Sequence, residues 1–237
     1  MSEQQVAVWL DAVSHHYGRV CALNSVSLRL PRGVTVGLIG PDGVGKSTLL
    51  SLIAGVKTIQ SGAVKVLDYD LSKKKQRQLA SHKVAFMPQG LGHNLYPTLS
   101  VYENVDFHAR LFGLAREQRQ AHIQRLLNAT GLAPFATRAA GKLSGGMKKR
   151  LSICCALAKN PPVLILDEPG ASLDIVCKQD IMNYLSAYTK SGGTVIITSH
   201  EEGELKLADR MYLLKNGKLN ELDHPVIGNE LLEIIHR

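Results

Sequence analysis

The stretch from Gly40 to Ser47 constrains this chain more than any other, because two glycines separated by four residues are followed directly by Lys46 and Ser47. This G-x-x-x-x-G-K-[ST] spacing is the phosphate-binding loop pattern. The apolar run VTVGLI precedes it, and the residues from Lys46 to about Ala54 are predicted to form a helix. A strand, a glycine loop and a helix in this order leave backbone N–H groups and the positive end of a helix dipole free to hold phosphates.

The pattern gives separate tasks to the polar side chains of this loop. Lys46 is expected to reach the β- and γ-phosphates of a nucleoside triphosphate, and the Ser47 hydroxyl is expected to ligate Mg²⁺. The alternative is a glycine turn that only joins a strand to a helix. The positions predicted to surround a nucleotide are Gly40, Pro41, Asp42, Gly43, Val44, Gly45, Lys46, Ser47 and Thr48.

A second apolar run, VLILDEP, ends in the acidic residues Asp167 and Glu168. Open α/β sheets present ligand-binding groups at the carboxyl ends of their strands. Asp167 is therefore expected to hold Mg²⁺ through a water molecule, and Glu168 to orient and deprotonate an attacking water. Together with the glycine loop, this acidic pair predicts a nucleoside triphosphatase.

A third element, Leu143-Ser144-Gly145-Gly146-Met147, is predicted to open a helix that runs to Ala158 and gives the chain a second helix N-terminus with accessible backbone N–H groups. With this element the sequence resembles the nucleotide-binding subunits of ATP-binding cassette (ABC) transporters, whose signature reads LSGGQ. The resemblance implies that Ser144, Gly145 and Gly146 contact a phosphate of ATP.

Further motifs extend the resemblance over nearly the whole chain. Tyr17, before ALNSVS, resembles the aromatic residue that stacks on adenine, and Gln89 resembles the Q-loop glutamine that ligates Mg²⁺. Ser172-Leu173-Asp174 resembles the D-loop, which places Asp174 among the nucleotide contacts. His200 resembles the switch histidine that contacts the γ-phosphate. The catalytic set implied in this way is Glu168, His200, Lys46 and Gln89.

Two positions depart from the family pattern. Met147 replaces the usual glutamine of the signature, as in a branch of the family rich in drug-type and ABC-2-type exporters. Gly170 stands where threonine or serine is usual, so one local hydrogen bond is expected to be missing. Neither departure removes a residue of the implied catalytic set.

The resemblance also implies partners. Two such subunits are expected to pair head to tail around two ATP molecules, each held by residues 40–47 of one subunit and by Leu143 to Met147 of the other. Separate membrane permease subunits are expected to carry the exported substrate, a drug or another small amphiphile, with this chain cytoplasmic on the inner face of the membrane. The segment Gly90 to Pro97 and the predicted helix Val101 to Leu111 are expected to form the groove for a helix of the membrane subunit.

An ABC ATPase that acts on ribosomes or nucleic acid is the alternative. LIGPDGVGKS and MPQGLGHNLY resemble the first cassette of a ribosome-associated ATPase, and the net charge of +8 would suit RNA. Against this alternative, translation-type cassettes occur as linked pairs, and only 5% of the residues are aromatic, which is few for base stacking. Nucleic acid is therefore not the expected partner.

Alternating strands and helices predict an α/β fold: a P-loop core with a mostly parallel sheet, an N-terminal antiparallel β layer and a helical subdomain at about residues 90–160, in a single domain over 1–237.

No apolar run approaches the roughly 18 residues of a membrane-spanning helix. The four cysteines lack metal-type spacing and are interpreted as reduced, small apolar residues. Two basic runs, Lys73 to Arg77 and Lys148-Lys149-Arg150, are interpreted as solvated helix surface.

Overall fold

Two β-sheets of different kinds pack together in the computed structural model, which describes residues 5–90, 94–111, 114–158, 160–171, 173–224, 226 and 228–236. The strands are β1 (Val6–Tyr17), β2 (Val20–Pro31), β3 (Thr35–Ile39), β4 (Ser61–Val66), β5 (Tyr69–Asp70), β6 (Val84–Met87), β7 (Val163–Asp167), β8 (Thr194–Thr198), β9 (Arg210–Lys215) and β10 (Lys218–Leu222). The helices are α1 (Lys46–Ile53), α2 (Lys74–Ser81), α3 (Val101–Leu111), α4 (Arg116–Ala129), α5 (Gly145–Leu157), α6 (Ile175–Lys190), α7 (Glu202–Leu205) and α8 (Gly228–His236).

The larger sheet has the strand order β10-β9-β3-β8-β7-β6, with every pair parallel except β9 and β10. All residues of β3, β7 and β8 are buried, because both faces of this sheet are covered. Ile165 of β7 faces the smaller sheet and α1, while its neighbour Leu166 faces α3–α6. The predicted mostly parallel α/β sheet is confirmed.

The smaller sheet is antiparallel, with the order β2-β1-β4-β5. Its polar and apolar residues alternate, so one face packs on the core and the other faces solvent. Helix α1 lies in the hydrophobic cluster between the two sheets, where Leu49, Leu50, Leu52 and Ile53 are almost fully buried. This packing fixes the N-terminus of α1 at the carboxyl end of β3.

The chain between β6 and β7 forms a helical region on the far side of the larger sheet. Its helices α3, α4 and α5 share one cluster with α6, in which Val105, Ile123 and Leu151 have no exposed surface. The prediction of α3 over Val101–Leu111 is confirmed, since its apolar residues recur at helical spacing. Helix α5 begins at Gly145 rather than at Leu143, because Ser144 is its N-cap and accepts a hydrogen bond from the Met147 amide at 3.3 Å.

One interpretation of a side-chain environment is wrong. Lys149 is 2% exposed instead of solvated, and the charges of Glu168, Asp167 and Glu204 act on it. None of the four cysteines forms a disulfide in the part of the chain that the structure describes, as the sequence predicts; Cys21 is exposed on β2, whereas Cys154, Cys155 and Cys177 are buried. The run around α2 does form an exposed helix face, with Lys73, Lys74 and Lys75 exposed. Within the described residues, no helix has the length and apolarity needed to cross a bilayer.

Candidate nucleotide site

The loop between β3 and α1 depends on glycine at two positions. Gly45 has φ +114°, and a Cβ atom there would lie 2.6 Å from the carbonyl oxygen of Ala22. Gly40 has φ +148°, and a Cβ atom there would collide with the carbonyl oxygen of Leu214. No side chain caps the N-terminus of α1, so its first N–H groups point into the loop and can bind an anion.

A cavity of about 380 Å³ opens in front of this loop. Its lining residues are Asp42, Gly43, Gly45, Lys46, Ser47, Thr48, Gln89 and Glu168. Lys46 is 6% exposed, and its Nζ donates to the carbonyl oxygens of Gly40 at 2.6 Å and Pro41 at 3.0 Å. A buried cation and free backbone N–H groups therefore meet in one cavity, as the binding of a polyphosphate requires.

The two acidic residues at the end of β7 have different environments, although they are adjacent in the chain. Asp167 is 1% exposed, and its Oδ1 accepts a hydrogen bond from Thr198 at 2.5 Å. Its Oδ2 is buried without a hydrogen-bond partner among the described residues. Glu168 has φ +50°, an uncommon conformation for a non-glycine residue, and its N–H donates to the Thr198 hydroxyl at 3.0 Å. Thr198 thus fixes both residues and directs only Glu168 into the cavity.

Glu168 is the centre of a polar group that comes from distant parts of the chain. Gln89 Nε2 donates to its Oε2 at 3.0 Å, and His200 Nε2 lies 3.4 Å from its Oε1. His200 Nε2 also lies 3.1 Å from Oδ1 of Asp42, which belongs to the glycine loop. Neither His200 contact has the direction of a hydrogen bond, and both ring nitrogens are buried without a hydrogen-bond partner in the described part of the chain. These residues can hold or orient a ligand atom at the mouth of the cavity.

Tyr17 lies beside the cavity at the end of β1. Its hydroxyl is 3.0 Å from Oγ1 of Thr48, and the Lys57 ammonium lies 4.8 Å from the centre of its ring. The ring is 48% exposed, so an aromatic ligand can reach it from solvent. The hydrogen bond to Lys57, followed by that to Thr48, lowers the pKa of the Tyr17 hydroxyl.

The signature residues do not line this cavity. Ser144 and Gly145 are exposed at the N-terminus of α5, and Gly146 is half-buried next to them. Asp174 caps α6 by accepting a hydrogen bond from the Cys177 amide at 3.0 Å, and it also pairs with Arg150. Ser172, the first residue of the predicted D-loop, lies outside the described residues. One copy of the chain therefore brings residues 40–48, Gln89, Asp167, Glu168 and His200 together and leaves the signature facing outward.

The sequence interpretation missed two residues of this region. Thr198 is buried, and its signal was present: a polar residue ends the strand TVIIT opposite Asp167 in the parallel pair β7–β8. Glu204 lies on α7 and is 2% exposed, and burial raises the pKa of its carboxyl group. Nothing in its local sequence distinguishes it from the exposed acidic residues next to it.

The fold and the loop define a P-loop protein built to bind a nucleoside triphosphate. Residues 23–171 match the family model described as "ABC transporter", and the chain belongs to that family and carries an ABC ATPase domain.

Curated relatives include ATP-binding proteins named for import and for resistance. The chain is 34% identical over 227 residues to the sulfate/thiosulfate import ATP-binding protein CysA of Vibrio cholerae, covering 93% of this chain and 59% of that protein. It is 34% identical over 210 residues to the linearmycin resistance ATP-binding protein LnrL of Bacillus subtilis, covering 88% of this chain and 66% of that protein. The chain thus spans less than two thirds of the length of these relatives.

A solved structure has the same fold. The ATP-binding cassette MJ0796, in a dimeric post-hydrolysis state bound to ADP and Pi, superimposes with a TM-score of 0.81 at 28% identity. The superposition covers 92% of this chain and 99% of that one. The expectation of a P-loop fold with an antiparallel β layer is confirmed.

Proposed function

We propose that this chain binds and hydrolyses ATP and thereby drives an ABC transporter that exports a drug or another small amphiphile. The observation that carries the proposal is the position of Glu168. Its carboxylate enters the cavity that holds Lys46, and Gln89 and His200 contact it from two other loops. A general base next to a phosphate-binding loop is the arrangement that hydrolysis of a triphosphate needs.

The chain's own groups divide the work on the triphosphate. The N–H groups of the loop and Lys46 bind the phosphates, and Tyr17 offers its ring to the adenine. Glu168, held by Gln89 and by the Thr198 contact to its amide, orients the attacking water and accepts its proton. His200, whose ring nitrogens make no hydrogen bond among the described residues, stabilises charge on the γ-phosphate.

Mg²⁺ fits the donors that the site offers. The hydroxyl of Ser47 and the amide oxygen of Gln89, two residues that line the cavity, are hard oxygen ligands of the kind that Mg²⁺ takes. Oδ2 of Asp167, buried without a hydrogen-bond partner among the described residues, would hold the ion through a water molecule. When bound, the ion would neutralise charge on the β- and γ-phosphates.

The proposal includes a second copy of the chain, which would contact the nucleotide from the side opposite residues 40–47. Ser144 and Gly145 are exposed at an N-terminus with free N–H groups, away from the cavity of their own chain. In a head-to-tail dimer these residues would close on a triphosphate held by residues 40–47 of the partner. Cysteines introduced near positions 144 and 46, with Lys46 itself retained, should form a disulfide between two chains in the presence of ATP; a bond within one chain would contradict this arrangement.

The export direction is the finer part of the proposal, and Met147 in the signature and the resistance protein LnrL among the relatives support it. The permease would bind near α3, at the inner face of the membrane. There Tyr96 is 46% exposed, with its ring against Phe107, and Leu95 is partly buried; residues 91–93 of this segment lie outside the described residues. Changing Leu95 and Tyr96 to Ser should reduce copurification with the permease and leave the ATP affinity of the free chain unchanged.

The experiment for the proposed function compares two variants in ATP binding and phosphate release. Lys46→Ala should lose ATP binding, because a buried cation and its phosphate contacts disappear together. Glu168→Gln keeps the shape of the side chain and removes the base, so ATP binding should persist while phosphate release falls by about a hundredfold or more. Hydrolysis at the wild-type rate by Glu168→Gln would contradict the assigned base.

A further inference from the structure

Asp42 carries a negative charge inside a loop built to bind negative charge. The phosphate-loop spacing leaves this position free, so nothing in the motif requires a carboxylate there. The side chain is 85% exposed and points to the cavity, where its Oδ1 lies 3.6 Å from Lys46 Nζ and 3.1 Å from His200 Nε2. One carboxylate thus contacts the cation of the loop and the histidine on the opposite side of the cavity.

Lys46 and His200 are the groups that would bind the third phosphate of a nucleotide. Lys46 reaches the terminal phosphates in the loop pattern, and both nitrogens of His200 lack a directed hydrogen bond in the described residues. A carboxylate between the two groups stands where a phosphate oxygen would make the same contacts. The bound γ-phosphate and Asp42 then carry like charges at close range and repel each other.

We propose that Asp42 acts as an internal competitor of the γ-phosphate, so that its charge weakens the binding of ATP more than that of ADP. The inference rests on the proposed function, since it concerns the same nucleotide. ADP lacks the third phosphate and leaves the contact between Asp42 and His200 in place. ATP must break that contact and turn the carboxylate toward solvent, which its high exposure permits.

The test measures dissociation constants of the full chain for ADP and for a non-hydrolysable ATP analogue, both with Mg²⁺, by calorimetric titration. Asp42→Asn removes the charge and keeps the shape of the side chain. We expect it to tighten binding of the ATP analogue about fivefold and to change the ADP constant less than twofold, so that the ratio of the two constants shifts. Asp42→Glu keeps the charge and should stay within about twofold of the wild type for both nucleotides.

The matched control is Asp68→Asn, which changes the net charge equally at an exposed aspartate whose ion-pair partner is Arg32, 3.6 Å away. It should leave both constants at the wild-type values. Unchanged or weaker binding of the ATP analogue by Asp42→Asn, or an equal gain for ADP, would overturn the inference. A wild-type chain that binds neither nucleotide would instead contradict the proposed function, and retained ADP binding by Asp42→Asn shows that the variant is folded.

Discussion

The carboxyl group of Glu204 occupies the place that the Cβ atom of any side chain at position 170 would need. Gly170 lies two residues after Glu168 in the sequence, and Glu204 belongs to α7, which follows His200 in the sequence. Both residues are buried. At position 170 the family pattern implies a threonine or serine that makes a local hydrogen bond. In this chain the position is a glycine, and the Glu204 carboxylate packs against its backbone.

Gly170→Thr, which restores the usual residue of the family, should destabilise this chain. Overpacking against a buried carboxylate costs about 1–3 kcal/mol, measured as a lower urea midpoint of unfolding. Gly203→Ala is the control, since a Cβ atom at position 203 meets nothing within 4 Å, and it should stay within about 0.5 kcal/mol of the wild type. Equal midpoints for both variants would show that Glu204 moves away at no cost.

Lys149 lies buried among three carboxylates that come from different parts of the chain. Burial lowers the pKa of Lys149, and the charges of Glu168, Asp167 and Glu204 act in the opposite direction. Lys149→Met removes the attraction of this charge for the carboxylates and also the cost of burying it, so the net loss of unfolding free energy should be about 1 kcal/mol. The double variant Lys149→Met with Glu204→Gln removes both charges. It should recover part of the lost unfolding free energy, because the side chain at position 204 is then neutral.

Urea unfolding of the two single variants and the double variant gives the coupling energy directly. Lys148→Met, at the neighbouring and less buried lysine of α5, controls for the loss of a positive charge and should change stability by about 0.5 kcal/mol or less. A double variant that is as unstable as the sum of the single variants would contradict the coupling.

One of the four thiols should react with a disulfide reagent in the native protein. Cys21 is exposed, whereas Cys154, Cys155 and Cys177 are buried. Burial also raises the pKa of Cys154 to about 12 and raises that of Cys177, which removes the reactive thiolate. Titration at pH 8 should give one reactive thiol in buffer and four in denaturant, and Cys21→Ser should abolish the native reaction. Rapid labelling of a second thiol would show that α5 or α6 opens.

The spacing of apolar residues predicts many of the helices and strands, because this signal lies within a single element. Helix Val101–Leu111 has the predicted bounds, since an apolar residue at every third or fourth position is a direct signal. Helix α8 was missed, although Leu231 and Ile234 lie at helical spacing within it, because the segment is short and polar at its start.

The environments that sequence could not predict depend on contacts between distant segments. Lys149 stands in a run of three basic residues that is typical of solvated surface, yet the packing of α5 against α3, α4 and β6 buries it. The contact between Asp42 and His200 joins the first loop of the core to the segment after β8. A motif gives the residue types and their order, whereas such contacts require the assembled sheet.

The last prediction concerns His122, which is 8% exposed on α4. Its Nε2 lies 3.2 Å from the carbonyl oxygen of Leu157, so this nitrogen carries a proton and donates it in the neutral ring. Burial lowers the pKa of His122 below the ordinary value of 6.5. The unfolded chain therefore takes up a proton at a higher pH than the folded chain, and the histidine's contribution to stability is lost as the pH falls below about 6.5.

His122→Gln should lose less stability than the wild type between pH 7 and pH 5.5, because glutamine can donate to the same carbonyl and does not titrate. Urea unfolding at both pH values measures this difference, with the exposed His16→Gln as the control. The comparison between variants is needed because burial raises the pKa of Glu204, which acts in the opposite direction on the wild-type slope. The same loss in His122→Gln and wild type would show that the proton uptake on unfolding occurs elsewhere, with His15 the next group to test, because burial also lowers its pKa.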